Sequence, residues 1–254
     1  MTTALITGGT AGLGRAFADR FAALGYDLVL VARGRERLEE AAEELRKASG
    51  VHVEVVAADL STDEGTDAVR ARIAEPERPV DILVNNAGFA LGQSFRKGTL
   101  EDEERLLDVH VRAVLRLTHA ALPGMVTRGK GSVINVSSVA AFVPRGTYSA
   151  AKAWVVSFSE SVAAELTGTG VRCMALCPGF THTEFHDRAE IDPGQIPGWM
   201  WLNAPDVVEA AIADLRKGLT VSVPNAKYKL LVGVTRLVPR RVSTRVGRSV
   251  SKRW

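Results

Sequence analysis

Apolar and polar positions divide this chain into short, nearly unbroken apolar runs separated by segments of helical spacing. ALIT (4–7) is a strand candidate, followed by a helix over 13–24. DLVLVA (27–32) is a second strand and precedes a charged helix over 35–49. HVEVVAA (52–58) leads to a helix near 62–75, and DILVN (81–85) to a long helix near 101–126. SVINVS (132–137) leads to a helix over 148–166, and VRCMALC (171–177) is a sixth strand. A helix near 206–217 then precedes TVSVP (220–224), a seventh. Strands that are apolar at nearly every position are buried on both faces, and interleaved helices supply the crossovers that parallel strands need. The pattern predicts an α/β fold built on a doubly wound parallel sheet of about seven strands in a single domain.

The 254 residues suit one such domain, spanning 1–224. The stretch 180–204 has no clear period and contains Pro193 and Pro197, so it reads as a long functional loop, a substrate lid. It carries Phe180, Phe185, Ile191, Ile196, Trp199, Met200, Trp201 and Leu202. Either these cover a lipophilic small-molecule substrate or they pack permanently on the body. His182 and His186 lie nearby, but a metal site needs further ligands and none is expected.

Charge separates the C-terminus from the rest. Net charge is +3, but residues 225–254 hold nine Lys and Arg with no Asp or Glu, which leaves −6 on residues 1–224. This basic C-terminal extension mixes apolar and cationic residues, which suits weak contact with a membrane surface. Pro239, Gly233 and Gly247 argue against one long helix there. Only Tyr228 and Trp254 could stack on bases, so no nucleic acid is expected. Cys173 and Cys177 lie about 13 Å apart along one strand, too far for a disulfide. With no apolar run of membrane-spanning length and no basic leader, the expectation is a soluble, cytoplasmic protein, at most peripherally attached.

The first strand runs into Thr7-Gly8-Gly9-Thr10-Ala11-Gly12-Leu13-Gly14. Such a turn lets backbone approach a pyrophosphate, and the following helix offers unpaired N–H groups to the anion. Gly8, Gly12 and Gly14 are spaced G-x-x-x-G-x-G rather than G-x-G-x-x-G, and such turns also occur simply to reverse the chain; it is the position between strand and helix, at the start of a βαβ unit, that points to a Rossmann-type dinucleotide site. An NAD site wants a carboxylate at the end of the second strand, whereas this chain offers Ala32-Arg33. A guanidinium there pairs with a 2′-phosphate, so NADP(H) is expected in preference to NAD(H), with Arg15 assisting.

Tyr148 and Lys152 stand four apart on a predicted helix and share one face. A lysine ammonium favours the phenolate and brings a tyrosine toward the range of acid–base catalysis. Ser138, at the end of the fifth strand, is placed to bond a substrate oxygen.

Together these residues resemble the short-chain dehydrogenase/reductase family. The match runs through the glycine turn, Asp59, Asn85-Asn86-Ala87-Gly88, Ser138, Tyr148-x-x-x-Lys152 and Pro178-Gly179, in order over residues 3–224. The resemblance implies that Tyr148 exchanges the substrate proton while hydride moves to or from nicotinamide. Lys152 would lower the Tyr148 pKa and hold the nicotinamide ribose, and Ser138 would position the substrate oxygen. Thr7, Gly8, Thr10, Gly12, Leu13 and Gly14 would cradle the pyrophosphate, with Arg33 on the 2′-phosphate. Asp59 and Leu60 would meet the adenine, Asn86, Ala87 and Gly88 would shape the cofactor floor, and Pro178, Gly179 and Thr183 would flank the nicotinamide amide. The long fourth and fifth helices often form a subunit interface in the family, which implies a homodimer or homotetramer.

Two positions depart from the family pattern. His110 stands where an asparagine usually helps hold a water on the proton relay, so it is expected to keep a modified relay or to slow turnover. Ser138 and Tyr148 are only ten positions apart, so 142–146 must form a tight loop that reshapes the pocket. The second reading of the chain is a non-catalytic NADP(H)-binding sensor or scaffold on the same fold. His110 favours it, and the complete Ser138–Tyr148–Lys152 set opposes it.

Overall fold

The structure, a computed structural model, describes residues 2–184 and 197–237. The expected lid residues Phe185, His186, Ile191, Pro193 and Ile196, and the tail residues Pro239, Gly247 and Trp254, lie outside them. The elements alternate as expected: β1 (Thr3–Thr7), α1 (Gly12–Ala23), β2 (Asp27–Ala32), α2 (Arg35–Ser49), β3 (Val53–Ala57), α3 (Asp63–Ile73) and β4 (Ile82–Asn85). There follow α4 (Leu100–Leu107), a π-helical turn (Asp108–Arg112) and α5 (Ala113–Thr127), then β5 (Gly131–Val136), α6 (Gly146–Glu165) and β6 (Val171–Leu176). The described chain ends with α7 (Ala204–Arg216), β7 (Val221–Ser222) and α8 (Ala226–Leu237). The expected helix over 101–126 is therefore a run that widens by one π turn at its middle. The helix α8 passes through Gly233 rather than breaking there.

All seven strands are parallel, in the order β3-β2-β1-β4-β5-β6-β7. Alternate residues of each strand feed two different cores, as the period of two requires. Ile6, Leu30, Val84, Ile134 and Met174 pack under α1, α2 and α7. Leu5, Val29, Leu83, Val133 and Cys173 pack under α3, α5 and α6. A third cluster joins Val156, Cys177, Val223 and Tyr228 near the end of β6.

One polar seam crosses the second core. Asn85 Nδ2 donates to Asn135 Oδ1 (2.8 Å) and to the Thr118 hydroxyl (3.1 Å). Asn135 Nδ2 donates to the Ser159 hydroxyl (3.0 Å), whose own proton goes to the Val155 carbonyl. This seam pins α5 and α6 against the ends of β4 and β5, the ends that carry the candidate site. The strand order reverses between β1 and β4, and such a switch point opens a crevice at the carboxyl ends of the strands.

Replacing Asn135 with alanine leaves Ser159 and Asn85 short of partners in a dry environment. Urea denaturation should show a loss of about 2–4 kcal/mol.

Candidate active site

The turn after β1 is held open by backbone that only glycine adopts easily. Gly8 and Gly12 have φ of +68° and +55°. A side chain on Gly14 would sit 2.0 Å from the Gly8 carbonyl oxygen, so α1 starts directly against the turn. Nothing acidic lies in the first turn of α1, and Ala11 offers no side-chain cap, so its N–H groups face the crevice unneutralised. The turn is fastened to the loop after β4. The Thr7 hydroxyl accepts from the Asn86 and Ala87 amides (both 2.9 Å), and Asn86 Nδ2 donates to the Thr7 and Gly8 carbonyls (2.9 and 3.3 Å). Thr10 and Leu13 are half-buried in the turn, and Thr183 abuts Gly12, where a Cβ would come within 3.0 Å of it. A narrow, side-chain-free cradle with open N–H groups fits a pyrophosphate.

Across the switch point, β5 and α6 bring Ser138, Tyr148 and Lys152, the expected reactive groups, together. Ser138 caps a short 3₁₀ helix (Val139–Phe142), and its Oγ accepts from the Ala140 amide at 3.1 Å. The Tyr148 phenol is hydrogen-bonded with Ser138 and enclosed by protein, although the residue keeps some exposed surface. Lys152, one turn further on, donates from Nζ to the Val136 carbonyl (2.8 Å) and lies 5.6 Å from the centre of the Tyr148 ring. The Ser137 hydroxyl bonds the Lys152 carbonyl (2.7 Å), which fixes α6 against β5. The tight loop expected between Ser138 and Tyr148 is the 3₁₀ helix followed by Gly146 at φ +62°, where α6 begins.

Burial dominates the electrostatics of this group. It pushes the Tyr148 phenol up to about 12, against the opposing hydrogen bond from Ser138. It brings Lys152 down to about 7, a shift that the electrostatic influence of the Cys177 sulfur opposes. The expected lowering of Tyr148 by Lys152 is not seen here: desolvation acts on both charged forms at once, and what opposes it at the phenol is the Ser138 hydrogen bond. The phenol is a held proton at neutral pH.

His110 sits on the π turn and is buried. Its Nε2 lies 3.0 Å from the Phe89 amide nitrogen and 2.8 Å from the Phe89 carbonyl oxygen, while Nδ1 has no hydrogen-bond partner among the described residues. Its ring meets Tyr148 edge-on, with centroids 5.5 Å apart. Burial, then the charge of Lys152, hold its pKa well below the usual imidazole value against the Phe89 hydrogen bond, so it is neutral. The ring fits only because Gly88 has no side chain: a Cβ there would come within 2.5 Å of His110 Cε1.

At the far end of the crevice Asp59 accepts from the Ser61 amide (3.0 Å) and hydroxyl (2.7 Å). Partial burial pushes its carboxyl up. The Ser61 bonds and the charges of Arg33 and Arg105 outweigh that and leave it below its ordinary value. Leu60 is buried beside it. Arg33 is exposed at the end of β2, whereas Arg15 is engaged by Asp19 and Glu44 (2.8 and 2.7 Å). On the other side, the Pro178 carbonyl accepts from the Val139 amide at 3.0 Å. Gly179 lies under the Tyr228 ring, where a Cβ would come within 2.1 Å. The Tyr228 hydroxyl donates to the Met200 carbonyl (2.7 Å) and accepts from the Phe180 amide (3.1 Å). Trp201 packs between Phe180 and His182, whereas Trp199 is exposed.

A family model described as short chain dehydrogenase matches residues 2–193. The chain belongs to the short-chain dehydrogenase family. That membership makes it an oxidoreductase. It is 40% identical over 186 residues to Sulfoacetaldehyde reductase 2 of Chromohalobacter salexigens, across 71% of this chain and 73% of that protein. A solved short-chain dehydrogenase from Sphingobium yanoikuyae, in complex with NADPH, is 37% identical with a TM-score of 0.85 and covers 93% of this chain and 94% of that one. The bulky-bulky ketone specific alcohol dehydrogenase from Comamonas testosteroni is 30% identical with a TM-score of 0.81, over 93% and 92% of the two chains.

Within this short-chain dehydrogenase three contributors were invisible from spacing alone. Arg105 on α4, whose guanidinium carbon lies 5.5 Å from the Phe89 ring centre, acts on Asp59 through its charge. Phe89 itself carries the His110 contact. Tyr228 braces the loop after β6 from a segment that reads as a basic tail.

Gly88→Ala should cost about 1–3 kcal/mol of stability by overpacking, and His110→Ala in the same chain should recover most of it in a double-mutant denaturation cycle. The Lys152 pKa near 7 in the folded protein lies below its unfolded value of 10.5, so the unfolded chain binds more protons between them. Lys152→Met should therefore be more stable than the parent by on the order of 3 kcal/mol near pH 6, and thermal melts should show that advantage shrinking toward pH 10.

Proposed function

We propose that this protein is an NADP(H)-dependent reductase or dehydrogenase acting on the carbonyl or alcohol group of a lipophilic small molecule, with Tyr148 as general acid and base. One observation carries the reading. The Tyr148 hydroxyl is bonded with Ser138, flanked by Lys152, and stands at the same crevice as an uncapped glycine cradle. A binder without chemistry has no use for that enclosed, protonated phenol. The NADPH bound to the Sphingobium relative supports the cofactor, and the bulky ketones named for the Comamonas relative support a large apolar substrate.

Bound NADP(H) supplies or accepts the hydride. Thr7, Gly8, Thr10, Gly12, Leu13 and Gly14 hold its pyrophosphate, and Arg33 pairs with the 2′-phosphate. Asp59 and Leu60 receive the adenine, Asn86, Ala87 and Gly88 form the floor, and Pro178, Gly179 and Thr183 border the amide. Lys152 holds the ribose. The Ser138 hydroxyl fixes the substrate oxygen, and Tyr148 gives it a proton in reduction or takes one in oxidation. His110, neutral and with Nδ1 open, serves a modified proton relay to Lys152. Leu107 and Leu115, exposed on the run from α4 to α5, support self-association as a homodimer or homotetramer.

Fluorescence titration should give much tighter binding of NADPH than of NADH, and Arg33→Ala should weaken NADPH about 10-fold or more while sparing NADH. Tyr148→Phe should keep NADPH affinity and lose about 10³-fold or more in turnover on lipophilic ketones. Tight binding with no difference between the parent and Tyr148→Phe on any ketone or alcohol would end the catalytic reading. With the phenol held protonated, oxidation should rise up to about tenfold per pH unit between about pH 7 and 9, while reduction stays nearly flat. His110→Asn should move both the turnover and the pH–rate profile; an unchanged profile removes the relay role.

A further inference from the structure

The helix α8 has two apolar stripes, and only one is packed. Tyr228 and Val232, four apart, are buried in the third core cluster. Leu230, Leu231 and Val234 project elsewhere and are 71%, 46% and 49% exposed. With Lys227 they occupy positions i, i+3, i+4 and i+7, a single outward face. Trp199, 63% exposed, continues this face, and Lys227 Nζ lies 5.6 Å from the centre of its ring.

We propose that this face docks the protein on an anionic lipid bilayer, with Leu230, Leu231, Val234 and Trp199 entering the headgroup boundary and lysines pairing with lipid phosphates. The charge around it selects that occupant. Residues 225–254 contain nine cationic side chains and no carboxylate. Two copies meeting through this face would set Lys227 and Lys229 of one against those of the other, whereas an anionic surface complements both. Each element also suits the boundary: tryptophan carries an apolar body with a polar N–H, and lysine lays an apolar stem along the surface beneath its charge. Among the described residues no helix is long and apolar enough to cross a membrane, so the attachment is interfacial and reversible. The opposite face of the helix is tied through Tyr228 to Phe180 and Met200, so the docked surface and the substrate-side loop are mechanically one unit.

The full-length protein should float with vesicles of equal parts phosphatidylcholine and phosphatidylglycerol, and poorly with phosphatidylcholine alone. Salt should weaken the binding. A variant combining Leu230→Ser and Leu231→Ser should bind the anionic vesicles at least about tenfold more weakly, because the apolar area entering the boundary is lost. Its melting temperature and NADPH affinity should not change, which separates lost docking from lost folding. Absence of flotation by the parent protein, equal flotation on neutral vesicles, or equal flotation of the double variant would each overturn the proposal. Sedimentation showing a dimer that the double variant dissociates would also overturn it and give the face to a second copy.

Discussion

The site depends on how closely two pieces of backbone can approach. The β1–α1 turn and the loop after β4 are separated by little more than the Thr7 hydroxyl and the Asn86 amide, which together satisfy four backbone groups. Neither loop could be buried against the other without those bonds, because each would leave polar groups dry. The glycines are a consequence of the same approach. Gly14 fits against Gly8, and Gly88 fits against His110, only because neither has a side chain. The cradle and the imidazole therefore rest on one tightly joined pair of loops.

Enclosure sets the chemistry of the reactive end. A phenol and an amine brought together in water would favour the charged pair. Enclosed as they are here, both are driven toward neutrality, the phenol up and the amine down. The protein thus stores a proton on Tyr148 rather than a charge. The neutral His110 at the edge of that ring adds no competing cation, and the Ser138 hydrogen bond works in the other direction.

Much of this was legible in the sequence because it follows from repetition or from spacing. Strands such as 27–32 and 132–137 are apolar on both faces, which only a covered parallel sheet explains. Ser138, Tyr148 and Lys152 converge because one helix turn separates two of them and the end of a strand holds the third. Other features depend on distances along no single element. The π turn at Asp108–Arg112 changes neither composition nor period enough to mark itself. Arg15 looked available beside the glycine turn, but its partner Glu44 lies on α2. Spacing places Lys152 beside Tyr148 and is blind to the desolvation that pushes the phenol up.

Tyr228 joins distant parts of the chain. Its ring covers Gly179, and its hydroxyl closes on Phe180 and Met200, twenty positions apart in the sequence. That single phenol works as a keystone: it comes late in the chain yet fixes the span between two earlier points. A ribosome-bound chain would thus complete its sheet up to β6 before it could set the frame of the loop that follows that strand. By the same logic, a change confined to the helix after β7 would loosen the loop after β6 and leave the turn after β1 untouched.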